Sequence, residues 1–186
     1  PPIENRVETF SHEESMQNWN SPVLEWTPQY GEKWPMYWHR SDFWQDVTVT
    51  MDVTSLREQR EDSAWGLLLR NPQEGKTRES RRALVIYHPD RHQLQLFACG
   101  REPLTTELDP ERPVASLGLA RRRNRLLVRV NGRLVWHVGR PEELAGLCSV
   151  GRLGRGSTEA WTEAVSIAAG GVRTYAFRAA PDDWVP

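Results

Sequence analysis

The densest chemistry in this chain is aromatic. Trp34-Pro35-Met36-Tyr37-Trp38-His39-Arg40 and Phe43-Trp44 put five rings and a histidine within eleven residues. In an extended strand Trp34, Met36 and Trp38 share one face, and Tyr37 and His39 share the other. Indole rings pack against the apolar C–H faces of sugars, and His39, Arg40 and Asp42 would supply partners for hydroxyl groups, so the segment reads as a stacking platform for a saccharide. The competing use of the same residues is as core, where each ring buries about 150–250 Å². Trp34, Tyr37, Trp38 and His39 are therefore candidate ligand contacts. Arg70 and His88, from later segments, join them because a planar guanidinium and an imidazole suit sugar hydroxyls.

Other chemistries are thinly supplied. Glu13-Glu14, Glu142-Glu143 and Asp182-Asp183 are adjacent acidic pairs, whose members would point to opposite faces of a strand or sit solvated in loops. Asp46 and Asp52 share a strand face but lie six residues apart, about 20 Å along a strand, too far to act on one bond. His88, Asp90 and His92 bracket a turn and could meet around a divalent ion, yet polar loop residues need no metal to explain them. No Gly-x-Ser-x-Gly elbow is present, and Cys99 and Cys148, 49 residues apart, have no CxxC spacing. They are open to two readings, a disulfide or two buried thiols. Arg121-Arg122-Arg123-Asn124-Arg125 is the densest basic run. It reads as a solvated loop entering a hairpin; as a binding patch it would suit a sulfated or uronic polysaccharide better than a nucleic acid. No catalytic group, metal or cofactor is assigned.

Composition limits the partners. The 24 basic and 25 acidic side chains nearly cancel, which excludes a general nucleic-acid binder, whose affinity rests on excess positive charge. All but Lys33 and Lys76 of the basic residues are Arg, and Trp supplies 9 of the aromatic residues, six of them between Trp19 and Trp65. The longest purely apolar run, Ala83 to Tyr87, is far short of the ~20 residues of a membrane helix, so no membrane span is expected. A chain of 186 residues suits one domain with a real core. Opening on Pro1-Pro2, it reads as a processed or excised piece of a longer polypeptide.

Positioning falls to strands, because the dominant period is two. Asp46 to Val53 alternates four polar with four apolar residues. Ala64 to Arg70, Ala83 to His88 and Gln93 to Cys99 follow, the last two joined by a turn through Pro89-Asp90. Asn131-Gly132, between Leu126–Val130 and Arg133–Val138, predicts a two-residue hairpin, because a type I′ turn needs positive φ at both central positions. Further strands are expected at Arg6–Phe10, Met36–Arg40, Thr105–Leu108, Cys148–Leu153, Glu163–Ala168 and Arg173–Arg178. The one helical candidate is Pro141 to Gly146. Many short strands spaced by Gly, Pro and Asn turns point to an all-β antiparallel sandwich or barrel.

The order of these features resembles the concanavalin A-like lectin/glucanase sandwich domains, especially the laminin-G-like and 3-keto-disaccharide-hydrolase-like bacterial modules. The resemblance runs from Ser41-Asp42-Phe43-Trp44-Gln45-Asp46-Val47 through Trp65-Gly66-Leu67-Leu68-Leu69-Arg70 to Asn124-Arg125-Leu126-Leu127-Val128-Arg129-Val130-Asn131-Gly132 and Val150-Gly151-Arg152-Leu153. It implies a jelly-roll sandwich over residues 6–179, with an N-terminal tether at 1–5 and a linker at 180–186. Tyr175 to Trp184 resembles a junction between modules of large planctomycete-type proteins. The glucanase relatives carry a Glu-x-Asp-x-x-Glu or Glu-x-Asp-x-Glu strand that this chain lacks, which weighs against a retaining hydrolase. Calcium, held by some laminin-G-like relatives, has no ligand set recognisable by spacing here. The expected role is thus a non-catalytic carbohydrate-binding or assembly module of a larger extracytoplasmic protein, whose partners are a glycan or neighbouring domains. The alternatives are a glycoside-acting enzyme of the 3-keto-disaccharide hydrolase or lyase type, and a purely structural spacer.

Overall fold

The structure, a computed structural model, describes residues 3–4, 8–9, 23–27, 32–53, 64–72, 82–154, 165–169 and 172–174, and within them the side chains of 42–53, 64–72, 82–152 and 167–168. The strands are β1 (Ile3–Glu4), β2 (Glu8–Thr9), β3 (Val23–Thr27), β4 (Glu32–Phe43), β5 (Val47–Asp52), β6 (Trp65–Arg70), β7 (Arg82–His88), β8 (Gln93–Ala98), β9 (Leu104–Glu107), β10 (Ser116–Arg122), β11 (Arg125–Val130), β12 (Arg133–Gly139), β13 (Cys148–Gly154), β14 (Val165–Ala169) and β15 (Val172–Thr174). Two antiparallel sheets result. The larger runs β1-β15-β4-β13-β6-β7-β8-β9, with β3 also paired to β4; the smaller runs β12-β11-β10-β5-β14-β2. Of the sandwich and the barrel that the period-two pattern points to, this is the all-β sandwich.

Burial follows the pattern strand by strand. In β5 the apolar Val47, Val49 and Met51 are buried while Thr48 and Thr50 are half-buried and Asp52 is exposed, so one face of the smaller sheet points into the sandwich. Between the sheets Phe43, Val47, Val49, Met51, Trp65, Leu67, Leu69, Val85, Leu94, Leu96, Leu117, Leu119, Leu126, Val128, Val150 and Ile167 pack as one core. Strands β6 and β7 differ, because every residue of β7 and five of six in β6 are buried. Their unbroken apolar runs are what two-sided burial requires. The second face of the larger sheet accordingly carries its own apolar cluster of Ala64, Leu68, Leu84 and Ile86, with Phe97 packed against it.

The Asn131-Gly132 hairpin forms as expected, with Val130 paired to Arg133 and φ of 52° at Asn131 and 76° at Gly132. The asparagine side chain does more than tolerate that φ. Its Oδ1 accepts the backbone N–H of Ala115 (2.6 Å) and Ser116 (3.0 Å), and its Nδ2 donates to the Pro113 carbonyl (3.0 Å). The hairpin is thereby tied to the entry of β10.

One expectation needs correction. The Arg121–Arg125 run is not a solvated loop: Arg121 and Arg122 end strand β10, Arg123-Asn124 make the turn, and Arg125 begins β11. Arg121 occupies an inward position of that strand, which its basic character had disguised. The helical candidate at Pro141–Gly146 is a single 3-10 turn over Glu142–Leu144, too short for α-helical hydrogen bonding. Strands β1, β3 and β10 have no counterpart among the expected strands. Observed strand limits elsewhere lie within a few residues of those expected, although Tyr175 to Arg178 and the 180–186 segment fall outside the described residues. Cys99 and Cys148 are both buried free thiols, which decides between the two readings. Burial pushes the Cys148 thiol up to about 11.

Candidate functional site

Two concave places lie on opposite outer faces of the sandwich. The first is on the larger sheet. Strand pairing lines up Asp42, Ser149, Arg70 and Arg82 across β4, β13, β6 and β7. Asp42 and Ser149 are buried, and the Ser149 hydroxyl donates to Asp42 Oδ1 at 2.8 Å, so a serine proton satisfies part of a carboxylate that burial would otherwise penalise. The adjacent row is Trp38, Gly151, Leu68, Leu84 and Phe97. Where β7 begins and β8 ends, a cavity of about 270 Å³ is lined by Arg82, Leu84, Phe97, Gly100, Arg101, Glu102 and Pro103. It combines an aromatic ring, two guanidinium groups and one carboxylate. Gly100, with φ of 73°, follows Cys99, whose N–H donates to the Arg82 carbonyl; together they turn the chain into the loop that forms the cavity rim.

The structure distributes the residues expected from sequence along this sheet. Trp34 pairs with Glu25, Tyr37 with Arg152 and Trp38 with Gly151, while His39 falls where the β13–β4 register shifts; the side chains of these four lie outside the described residues. Arg70 sits in the Asp42–Ser149 row, beside the cavity residue Arg82. His88 is at the other end of β7. Six residues separate it from Arg82, about 20 Å along the strand, so Arg70 and His88 do not meet. His88 is buried, with Nε2 2.9 Å from Gln95 Oε1 and Nδ1 3.0 Å from an Arg91 Nη. Burial, countered in part by the Gln95 hydrogen bond, lowers its pKa below the ordinary 6.5. His92 stands exposed in the turn at a φ of 48°, and among the described residues no group of His, Cys, Asp and Glu gathers as metal ligands would.

The second place is on the smaller sheet and is larger, about 560 Å³, lined by Trp44, Gln45, Asp46, Thr48, Arg121, Arg122, Arg123, Arg140, Gly146 and Ala168. Its wall is organised by one buried side chain. Arg121 Nη1 donates to the carbonyls of Leu144 (2.9 Å) and Gly146 (2.6 Å), and Nη2 to those of Phe43 (3.1 Å) and Gln45 (2.6 Å). The guanidinium thus clamps the β4–β5 turn to the 3-10 segment. Gly146, at φ of 77° with its Cβ position 3.9 Å from the Trp44 ring, supplies the left-handed bend that presents its carbonyl to the clamp. Desolvation holds the Arg121 pKa below its ordinary value. Asp46 Oδ1 accepts the Arg123 N–H at 2.7 Å, and Arg140 Nη1 donates to the Arg123 carbonyl at 2.7 Å. Sequence reasoning ranked the arginine run as a binding patch behind a solvated loop and did not name Trp44 or Arg140 as contacts. The signal was present in the arginine run, but a strand of alternating fate cannot be told from a charged loop by charge alone.

No family model matches the sequence, and no curated protein matches it. The fold does have solved counterparts. The chain superposes on a structure described as a native glycosidic hydrolase with a TM-score of 0.51, covering 94% of this chain and 98% of that one at 10% identity. It also aligns with the Crh5 transglycosylase in complex with NAG, at a TM-score of 0.49 and 10% identity over 92% and 86% of the two chains. A third is the carbohydrate recognition domain of Emp46p in its potassium-bound form, at 0.46 and 9% over 87% and 89%. At such identities the likeness is one of fold, a two-sheet antiparallel β-sandwich.

Proposed function

We propose that the chain is a non-catalytic carbohydrate-binding module whose saccharide site is the larger-sheet cavity bounded by Arg82, Phe97, Arg101 and Glu102. The observation that carries this reading is the composition of that cavity. An aromatic ring beside the exposed guanidinium of Arg101, with the buried Arg82 behind it, is chemistry that holds a sugar by its apolar face and its hydroxyls. Arg70 adjoins Arg82 in the strand register, and the backbone of Trp38 lies in the same cross-strand row as Phe97, so the candidates Trp38 and Arg70 extend the surface across the sheet. Among the described residues Glu102 is the one carboxylate lining the cavity. Glycoside cleavage by the usual two-carboxylate route needs a pair about 5–9.5 Å apart, which favours binding over turnover. The sandwich likeness to a glycosidic hydrolase agrees with a glycan-related role. A place in a larger extracytoplasmic protein is part of the same reading; among the described residues no helix is long and apolar enough to cross a membrane.

Affinity electrophoresis of the 186-residue chain through gels containing neutral polysaccharides tests the proposal. Retardation by at least one gel, abolished in Phe97→Ala and weakened in Trp38→Ala, is the expected result. Equal mobility of wild type and Phe97→Ala in every gel overturns it.

A further inference from the structure

The arginine-lined cavity on the smaller sheet belongs to a different face from the proposed neutral-sugar site and does not rest on that proposal. Among the described residues four guanidinium groups, from Arg121, Arg122, Arg123 and Arg140, line it against the single carboxylate of Asp46. That carboxylate is already engaged, since its Oδ1 accepts the Arg123 backbone N–H. None of the four arginines forms an ion pair among the described residues. In a chain whose total charges nearly cancel, such a local excess is a feature of this place and not of the surface as a whole.

The four are not equivalent. Arg121 spends its four Nη hydrogens on carbonyl oxygens, so it contributes charge and shape to the wall but no free Nη donor. Arg122 is exposed, with one long 3.4 Å contact to Thr48 Oγ1. Arg123 is exposed at the turn, and half-buried Arg140, whose Nη1 holds the Arg123 carbonyl, engages nothing through Nη2 among the described residues. The available donors are therefore on Arg122, Arg123 and Arg140, where a planar fork can take an oxyanion in two parallel hydrogen bonds.

Two further observations select the kind of molecule that carries the oxyanion. The half-buried Trp44 lines the same cavity, and an indole beside cations suits a ring with apolar C–H faces and acidic substituents better than a bare ion. The cavity also continues. Thr48 is shared with an adjoining hollow of about 80 Å³ formed by Thr50, Ser116, Gly118, Leu119, Ala120, Arg129 and Gly132. Small side chains leave that strip of the sheet low, and Arg129 stands along it as another cation, which gives a trough for a chain-like ligand.

We infer that this trough binds an acidic oligosaccharide, with a sulfate or carboxylate group held by Arg122, Arg123 and Arg140 and a sugar ring against Trp44. Isothermal titration of the full chain with dextran sulfate and oligogalacturonate fragments, uncharged dextran of matched length and inorganic sulfate tests it. At least one acidic oligosaccharide should bind, weakening as salt is raised, with uncharged dextran and inorganic sulfate each binding about tenfold or more weaker. The double substitution Arg122→Gln with Arg123→Gln, both at exposed positions, should weaken acidic binding about tenfold or more with the melting temperature unchanged. Trp44→Leu should weaken the oligosaccharide and leave inorganic sulfate as it was. Acidic binding should survive Phe97→Ala, which separates this site from the neutral-sugar site. Equal binding of acidic and uncharged oligosaccharides, inorganic sulfate binding as tightly as the oligosaccharides, or indifference to the double substitution would each overturn the inference.

Discussion

The two outer faces of this sandwich are built from opposite materials. On the larger sheet the outward residues of the central strands are Leu68, Leu84 and Ile86, all buried in a second apolar cluster. On the smaller sheet they are Thr48, Thr50, Ser116, Gly118 and Ala120, none of which extends far from the backbone, and arginines stand beside them. One face therefore adds to stability through burial, while the other leaves a low, wet, cationic trough. The difference teaches that strand periodicity locates faces but their composition assigns them. A face of large apolar groups serves packing at its centre, with its recognition chemistry set beside that cluster at Arg70, Arg82 and Phe97. A face of small residues adds little bulk, and four of its five stay half-exposed while Ala120 is buried.

The comparison can be broken in a graded way. The largest effect should come from Arg121, the clamp behind the trough. Arg121→Met removes four charge-assisted hydrogen bonds from buried carbonyls and should cost about 3–5 kcal/mol in urea unfolding; a loss below about 1 kcal/mol would mean that the clamp is ornamental. Next comes the second apolar cluster. Ile86→Ala or Leu84→Ala, at fully buried positions, should cost about 2–4 kcal/mol, whereas Thr50→Ala on the opposite face should stay within about 0.5 kcal/mol. Equal effects on the two faces would erase the distinction. Asn131→Ala should lose about 1–2 kcal/mol, because it removes three side-chain hydrogen bonds and a residue tolerant of positive φ.

The smallest effect concerns pH. The folded-state pKa of His88 is depressed by burial, so at mildly acidic pH the unfolded chain binds the proton more readily than the folded one. Its contribution is fully present above the unfolded value of about 6.5 and is lost as pH falls from there through the lowered folded pKa. The stability difference between wild type and His88→Gln should accordingly shrink on acidification from pH 7.5 to 5. A difference independent of pH would show that the histidine is equally protonated in both states. Cys148 offers a separate check: with its thiol pushed up to about 11 and its side chain buried, it should react with thiol reagents at pH 7.5 only on unfolding.

Much of the fold was legible. The strict alternation at β5, the Asn131-Gly132 turn and the unbroken apolar runs in β6 and β7 each express a backbone requirement within a few residues, and all three appear in the structure. The candidate sites were less so. Arg70 was singled out and sits beside the larger-sheet cavity residue Arg82, but His88 lies at the far end of the same strand. Trp44 looked like one more member of an aromatic cluster, although its wall partners Arg121, Arg140 and Gly146 come from segments about 75 to 100 residues further along the chain. The basic run hid the strongest contrast in the molecule. Arg121 and Arg122 are chemically identical neighbours, yet one is buried and the other exposed.

The sequence by itself determined most of the strand segments and where the tightest turn falls. These follow from side-chain alternation and φ preferences, which act over a few residues. Only the tertiary structure decided which charges gather. The smaller-sheet trough draws on the β4–β5 turn, the β10–β11 hairpin, the 3-10 segment and β14, brought together because closing the sandwich buries the apolar faces of both sheets. Hydrophobic burial is non-directional. It fixes that the sheets must pack, while the pairing and crossing of the strands select the polar residues left together outside.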